Sequence, residues 1–247
     1  MKKMKVFCFV GSNNQYSLGA YVADCLEETL RKKNFEVSFY KGNQCDINLC
    51  KGCSRCFAEG RCPLDETDNM KEIKRDMIEA DAIFWISPVY ANNVSGMMKN
   101  YIDRTSEWLH TIELLGKLGG AIVITDNSGE EFVKFYMKSL LSFLGCNVVV
   151  EEAIVKSRME KTIEDIIRSI VSTIEEAFQQ GKQYQSNEIQ EAHFKAVQKR
   201  FKQIIDNNEA NWKKLYEPRY WYEKKMIDSE NFQEVLDMKQ KKQMQHN

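Results

Sequence analysis

Short, continuous apolar stretches alternate with helical patterns over the first 155 residues of this chain. The apolar stretches predict strands at residues 5–10, 35–40, 82–86, 120–125 and 147–155. Apolar residues at helical spacing predict helices over residues 16–33, 69–79, 96–108 and 132–144. Apolar strands separated by helices are typical of a parallel sheet that is covered on both faces. The pattern therefore predicts an α/β domain with a doubly wound, five-stranded parallel sheet.

The last third of the chain has a different pattern. An amphipathic helix over residues 160–180 closes the predicted domain, and a second helix follows at residues 188–206. The tail is rich in aromatic residues with weak periodicity, namely Trp212, Tyr216, Tyr220, Trp221 and Tyr222. Such a segment cannot form a core alone, so it packs on its own domain or on a second subunit. We predict a flavodoxin-like domain over residues 1–182, with a cysteine-rich loop at residues 45–63, and a helical extension over residues 183–247.

Composition and charge exclude some classes of protein. The 247 residues carry 35 basic and 36 acidic side chains, a formal net charge of -1. A protein that binds nucleic acid through bulk charge has a basic excess, so no nucleic-acid partner is expected. No apolar run approaches the roughly 18 residues of a membrane span. The apolar start of the chain fits a first strand better than a signal peptide, and a cytoplasmic location is expected.

The turn after the first predicted strand, residues 11–17, has the chemistry of a phosphate site. It combines Gly11 with the polar side chains of Ser12, Asn14 and Ser17 at the start of a helix. Helix-end N–H groups and the helix dipole favour anions. The turn matches neither the ATP-binding nor the dinucleotide-binding glycine motif. The alternative is ordinary capping of the helix by Ser12 or Ser17.

Two further polar turns follow the third and fourth predicted strands. Residues 87–96 contain Tyr90, against which a planar ring could stack, or they simply start a helix that Ser95 caps. The later turn is polar as well and contains Thr125, Asn127, Ser128 and Gly129. In a doubly wound sheet, ligands bind outside the carboxyl ends of the strands. The three turns together predict a ligand with a phosphate and a flat ring.

Four of the eight cysteines form a dense motif with the spacing C-x2-C-x2-C-x5-C, at Cys50, Cys53, Cys56 and Cys62. Four thiolates this close can hold a [4Fe–4S] cluster. Zinc is an alternative, because it also binds four thiolates. A third alternative is a set of metal-free thiols that pack or oxidise. Cys8 and Cys146 fall in or beside predicted strands and are expected to be buried.

The order of several motifs resembles a known family. Gly11 and Ser12 with Ser17, the segments 50–56, 59–62 and 87–90, and the pair Asp103 and Arg104 occur in sequence. This resembles the flavodoxin-like NAD(P)H-dependent FMN reductases, and within them the iron–sulfur flavoproteins, over roughly residues 4–155. Asp103 and Arg104 match a common family pair, which we expect to be a structural ion pair.

The resemblance implies a noncovalently bound FMN. Its phosphate would be held by the first turn, at Gly11, Ser12, Asn14, Ser17 and Leu18. Its isoalloxazine would be lined by the second turn, at Pro88, Val89, Tyr90, Asn92 and Val94. The family often has an arginine where this chain has Asn14, so phosphate binding here would depend on neutral donors and the helix end.

The implied function is an FMN-dependent oxidoreductase that takes hydride from NAD(P)H and reduces a quinone, flavin, nitro or azo compound, or a protein. Because the cofactor supplies the chemistry, no catalytic protein residue is predicted. Homodimers or higher homo-oligomers are expected, with the extension as a lid or dimer arm. Two other classes compete: an iron–sulfur flavoprotein or flavodoxin-type carrier moving single electrons between proteins, and a metal-stabilised binding module without flavin.

Overall fold

The computed structural model of the protein describes residues 3–179, 184–207 and 211–244. The strands are β1 (Lys5–Val10), β2 (Glu36–Lys41), β3 (Ala82–Tyr90), β4 (Asn93–Val94), β5 (Leu118–Thr125) and β6 (Asn147–Val155). Five of them run parallel in the order β2-β1-β3-β5-β6. This confirms the doubly wound, five-stranded parallel sheet.

The end of β3 differs from the prediction. The strand continues through Pro88 to Tyr90 and then turns back as β4, which pairs antiparallel with it. The two residues between them, Ala91 and Asn92, both have positive φ, at 50° and 57°. Two positive φ values in succession are typical of a tight hairpin turn. The sequence pattern ended this strand at residue 86 because the polar Ser87 and the proline interrupt the apolar run.

Ten α-helices are found in the described residues. They are α1 (Leu18–Lys32), α2 (Arg55–Glu59), α3 (Met70–Glu79), α4 (Gly96–Asp103), α5 (Ser106–Thr111), α6 (Glu130–Phe143), α7 (Ile163–Gln179), α8 (Glu188–Asn207), α9 (Tyr216–Glu223) and α10 (Phe232–Met244). The single helix predicted over residues 96–108 is two helices. At the break, the hydroxyl groups of Thr105 and Ser106 donate to the carbonyl oxygens of Ile102 and Asp103.

Helices cover both faces of the sheet. Alternate residues of β1 point to opposite faces, so Cys8 packs with α1 and α7 while Phe7 and Phe9 pack with α3, α4 and α6. Cys8 and Cys146 are fully buried, as predicted. No helix in the described ranges is long and apolar enough to cross a membrane.

The extension packs beside the amino-terminal ends of β5 and β6. The Gln190 side chain of α8 donates to the carbonyl oxygen of Cys146, the residue before β6, at 3.0 Å. The Lys239 ammonium of α10 donates to the carbonyl oxygen of Leu115, just before β5. The predicted boundary at residues 182–183 lies outside the described residues. The described part of the extension therefore meets the edge of the sheet opposite to the three polar turns.

Candidate functional site

The three polar turns lie at the carboxyl edge of the sheet and contact one another. We call residues 11–17 the first turn, 87–95 the second and 125–129 the third. The Gly11 N–H donates to the carbonyl oxygen of Ile86 at 2.8 Å, and the Ser95 hydroxyl donates to the carbonyl oxygen of Gly11. A Cβ added to Gly129 would lie 2.7 Å from Asn92 Oδ1. All the residues predicted to bind the cofactor lie on these turns or at their immediate ends.

The first turn is organised around two serines. Ser17 caps α1, since its Oγ accepts from the Ala20 N–H at 3.1 Å, which confirms the capping alternative for this residue. Ser12 is almost completely buried, and its Oγ lies 3.1 Å from Ser17 Oγ. The Asn14 N–H donates to Ser12 Oγ at 3.3 Å. The first helical N–H groups, including that of Leu18, point out of the helix at this end and favour an anion.

A cavity of about 250 Å³ lies beside the first turn. Its lining includes Ser12 and Asn14 of the first turn together with Lys41, Asn43 and Gln44. Lys41 ends β2, and its ammonium pairs with the Asp24 carboxylate on α1. Sequence reasoning missed Lys41 as a candidate, because only the strand order places the end of β2 beside the turn that follows β1.

The second turn presents an aromatic ring to solvent. Tyr90 is 55% exposed, and the following residues turn back through the left-handed pair described above. Ser95 caps α4 by accepting from the Met98 N–H at 3.1 Å, which confirms the alternative reading of this residue. The Ser87 hydroxyl oxygen accepts from the Ser95 N–H at 3.2 Å. The turn is thus fixed at its base and open at its tip.

The third turn closes against the second. Gly129 has φ +90°, and its α-carbon approaches the second turn so closely that a Cβ would also meet Val89 Cγ1 at 2.8 Å. The Thr125 hydroxyl donates to the carbonyl oxygen of Ser128 at 2.8 Å. A cavity of about 450 Å³ is lined by this turn, Phe132 and Arg158. A glycine cradle, an exposed ring and a helix amino terminus together fit a phosphorylated flat-ring ligand such as FMN.

The cysteine motif has the donor chemistry of a metal site but not its geometry. Cys50 and Cys53 are exposed, whereas Cys56 and Cys62 are half-buried. Burial, aided by the Glu107 carboxylate, raises the pKa of the Cys56 thiol to about 11. Nowhere in the described ranges do three or more His, Cys, Asp or Glu side chains stand ready to hold a metal ion. In this conformation the four thiols do not fit a [4Fe–4S] cluster.

Buried charges tie the loop that carries these cysteines to the domain. Arg104 is fully buried; its Nη2 lies 2.6 Å from Asp65 Oδ1 and its Nη1 lies 2.5 Å from Asp68 Oδ2. Lys74 Nζ lies 2.7 Å from Glu107 Oε1 and 2.9 Å from Asp65 Oδ2. Burial alone would raise the pKa of Asp68, but hydrogen bonds from Arg104 and from backbone N–H groups outweigh it and hold that pKa below its usual value.

The expected ion pair between Asp103 and Arg104 is wrong. Asp103 faces solvent and pairs with Lys99 one turn earlier on α4, at 2.5 Å. Arg104 ends the helix and turns inward to the carboxylates of Asp65 and Asp68, just after the cysteine-rich loop. Adjacent residues on a helix point in different directions, so neighbours in sequence rarely pair with each other.

Comparison with known proteins agrees with this architecture. An iron-sulfur flavoprotein of Archaeoglobus fulgidus is 37% identical over 143 residues, 58% of this chain and 64% of that protein. An iron-sulfur flavoprotein of Methanocaldococcus jannaschii is 35% identical over 104 residues, 41% of this chain and 53% of that protein. The chain thus spans less than two thirds of the length of either relative.

Solved structures share the fold at low sequence identity. RosB with the bound intermediate 8-demethyl-8-formylriboflavin-5'-phosphate superimposes with a TM-score of 0.58 at 13% identity, over 80% of this chain and 87% of that one. The apo form of NADH:FMN oxidoreductase (EMOB) gives a TM-score of 0.51 at 18% identity, over 70% and 88%. Residues 4–160, more than half of the chain, match the NADPH-dependent FMN reductase family, and the chain belongs to that family.

Proposed function

We propose that this protein binds FMN noncovalently at the three turns and catalyses the reduction of an electron acceptor by NAD(P)H. The observation that carries the proposal is the contact among the three turns at one edge of the sheet, in a chain of the FMN reductase family. Bound FMN supplies the chemistry of accepting a hydride and releasing one or two electrons.

Each turn has a separate role in this proposal. The amino terminus of α1, with Ser12, Asn14 and Ser17, binds the phosphate through N–H and hydroxyl donors. Pro88, Val89, Tyr90, Asn92 and Val94 of the second turn and strand β4 line the ring. Thr125, Asn127, Ser128 and Gly129 bring polar backbone and side-chain groups to the ring's polar edge. The protein orients the two substrates, and none of its side chains is assigned an acid or base role.

The phosphate role is tested by replacing Ser17 with aspartate. Aspartate also caps helices, so Ser17→Asp retains the start of α1 while placing a negative charge where the phosphate would bind. FMN affinity, followed by flavin fluorescence, is expected to fall about tenfold or more. Riboflavin, which lacks the phosphate, serves as the matched ligand, and its affinity is expected to change little. Equal loss for both flavins, or no binding of FMN to the native chain, would contradict the proposal.

Turnover is tested with NADH and NADPH in separate assays. The FMN-loaded protein is expected to oxidise one or both when a quinone, free flavin, nitroaromatic or azo compound is supplied. The candidate acceptors differ in size and charge, so the ranking of their rates identifies the acceptor class. Flavin binding without any turnover would favour a flavodoxin-type electron carrier instead.

A second candidate function is an iron–sulfur flavoprotein, with a [4Fe–4S] cluster on Cys50, Cys53, Cys56 and Cys62. The cysteine spacing and the names of the two archaeal relatives support it. The loop would have to close, since the described thiols do not converge. Anaerobic purification with iron and sulfide analysis tests it, and Cys53→Ser is expected to abolish the iron. Cys45→Ser, outside the motif, is the matched control; absence of iron from the native protein would eliminate this candidate.

We also propose that the protein forms a homodimer or higher homo-oligomer. Four large apolar side chains on or beside the three turns are strongly exposed: Tyr16, Tyr90, Phe132 and Phe135. Apolar clusters of this kind mark interaction surfaces. Sedimentation of the native protein is expected to give a mass above the 28.9 kDa of one chain. Phe132→Lys with Phe135→Lys would then shift the mass toward that of the monomer.

A further inference from the structure

The cysteine-rich loop divides into two halves that differ in their contacts. Cys50 and Cys53 lie in an exposed stretch without regular structure. Cys56 lies on α2, and Cys62 follows it; both are half-buried. Two of the contacts around α2 involve the extension, one directly and one through α5, and the extension lies outside the family-matched residues 4–160.

The first contact joins Tyr216 of α9 to Gly60. Gly60 ends α2 with φ +75°, a conformation that favours glycine. A Cβ placed there would lie 2.5 Å from two carbon atoms of the Tyr216 ring. The ring therefore occupies the space that any other residue at position 60 would need. Tyr216 and Cys62 also line the same cavity, of about 660 Å³.

The second contact reaches α2 through α5. The ring of Phe57, the residue after Cys56, stacks on His110 of α5 with centroids 5.1 Å apart. His110 Nδ1 lies 2.7 Å from Oε1 of the buried Glu217 on α9. The Trp221 indole N–H, also on α9, donates to the carbonyl oxygen of His110 at 2.7 Å. Helix α9 of the extension thus fixes His110, the residue on which Phe57 of α2 stacks.

A third contact fixes the far end of this half of the loop without the extension. Asp65 follows Cys62 closely and is held by Arg104 and Lys74, as described above. Cys56 and Cys62 are consequently held between α9 on one side and buried charges on the other. The exposed half, from Cys50 to Ser54, contains two left-handed residues instead, Gly52 and Ser54.

We propose that α9 is a brace that positions the thiols of Cys56 and Cys62, with Tyr216 as its principal positioning residue. The braced pair forms the fixed half of the motif, and the exposed Cys50 and Cys53 form the half without such contacts. The inference rests on the second candidate function, the iron–sulfur flavoprotein, only for the identity of the group that the thiols bind. The brace is a property of the cysteine-rich loop in the ligand-free protein, so the ligand-free protein is used to test it.

The test is the alkylation rate of each cysteine in the reduced, metal-free full chain, measured with N-ethylmaleimide and mass spectrometry. In the native protein, Cys50 and Cys53 are expected to react about tenfold faster than Cys56 and Cys62, because reaction needs an accessible thiolate. Tyr216→Ala is expected to remove most of this difference by accelerating Cys56 and Cys62 alone. Tyr216→Phe keeps the ring and is expected to retain the native pattern.

Two further variants separate positioning from general stability. Tyr222→Ala changes an exposed residue of the same helix and is expected to leave all four rates unchanged. Gly60→Ala adds a Cβ atom that displaces the Tyr216 ring from the cysteine-rich loop. It is therefore expected to accelerate Cys56 and Cys62 as Tyr216→Ala does. Unchanged rates in Tyr216→Ala, or equal acceleration of Cys8 and Cys146 with the other thiols, would overturn the brace. If the native protein lacks iron but shows this pattern of alkylation rates, the iron–sulfur candidate function is eliminated and the brace is supported.

Discussion

Gly129 adopts a left-handed backbone conformation where the third turn approaches the second. Because Gly129 has no side chain, Asn92 and Val89 can occupy the space that a Cβ atom would need. Arg104 determines local structure in a different way, by entering the protein as a buried cation with carboxylate partners. In both cases one residue fixes a loop that carries candidate functional groups.

Gly129→Ala is expected to destabilise the protein by about 1–3 kcal/mol, because alanine is strained at this φ and its Cβ would displace the second turn. FMN affinity is expected to fall as well, since the two turns would separate. Urea unfolding and FMN titration measure the two effects. Gly96→Ala is the control, since nothing lies within 4 Å of its added Cβ. Equal behaviour of the two variants would contradict the role given to Gly129.

Arg104→Met is expected to cost about 3–5 kcal/mol, because it leaves the buried Asp68 carboxylate without its cationic partner and leaves Asp65 with Lys74 alone. Lys99→Met removes the exposed partner of Asp103 on the same helix and is expected to cost within about 0.5 kcal/mol. Urea unfolding at neutral pH compares them. A similar small cost for both variants would show that the buried network contributes little.

The same network predicts an acid dependence. The pKa of Asp68 is lower in the folded protein than in the unfolded chain, so its stabilisation is present above the unfolded value. That stabilisation is expected to be lost as the pH falls below about 4, through the unfolded and then the folded pKa. Asp68→Asn is expected to flatten the curve of unfolding free energy against pH in this range. An unchanged curve would contradict the stabilising role given to the Asp68 carboxylate.

At the scale of elements, the extension is joined to the domain through α8. His193 of α8 stacks on Phe143 of α6 with ring centroids 4.4 Å apart, and its Nε2 lies 2.7 Å from the carbonyl oxygen of Leu109. Burial lowers the pKa of His193, although the Leu109 carbonyl partly opposes this. The buried position thus favours the neutral imidazole over the charged one.

This interface is expected to weaken in mild acid. Because the pKa of His193 is lower in the folded protein, the unfolded chain binds its proton first, and stability falls as the pH drops below about 6.5. His193→Gln removes the titrating group and is expected to reduce this fall. Thermal unfolding between about pH 7 and pH 5.5 measures how the stability of each protein changes with pH. The same slope for both proteins would show that other groups cause the dependence.

At the scale of the whole molecule, the extension and the sheet share one hydrophobic core. Phe194, Phe201, Trp221 and Phe232 belong to the same buried cluster as the residues of β1, β3 and β5 on that face. The polar turns lie at the opposite edge from the extension. The proposed cofactor site and the contacts of α8 and α10 with the sheet therefore lie at opposite edges of one folded unit.

Saturating FMN is expected to stabilise this unit as a whole. At a ligand concentration of about 100 times Kd, binding contributes about 2.7 kcal/mol. For a chain of this size that corresponds to a rise in Tm of roughly 5–10 °C. Riboflavin at the same concentration is expected to give a smaller rise, because it lacks the phosphate. No rise with FMN would contradict the proposed site.

The parts that could be predicted are those with local signals. Apolar runs located all five parallel strands, and polar residues after them located the three turns. The hairpin at Ala91 and Asn92 escaped prediction because neither residue is a glycine. Lys41, the partners of Arg104 and the contact between Tyr216 and Gly60 escaped because each joins segments far apart in sequence.

The sequence alone determined the five parallel strands, the polar turns and the spacing of the cysteines, because periodicity and residue chemistry are local properties. Only the tertiary structure decided which turns touch, where Arg104 points and which part of the cysteine-rich loop the extension contacts. Those outcomes depend on how helices pack on the two faces of the sheet. Packing brings together residues such as Gly60 and Tyr216 that no local pattern relates.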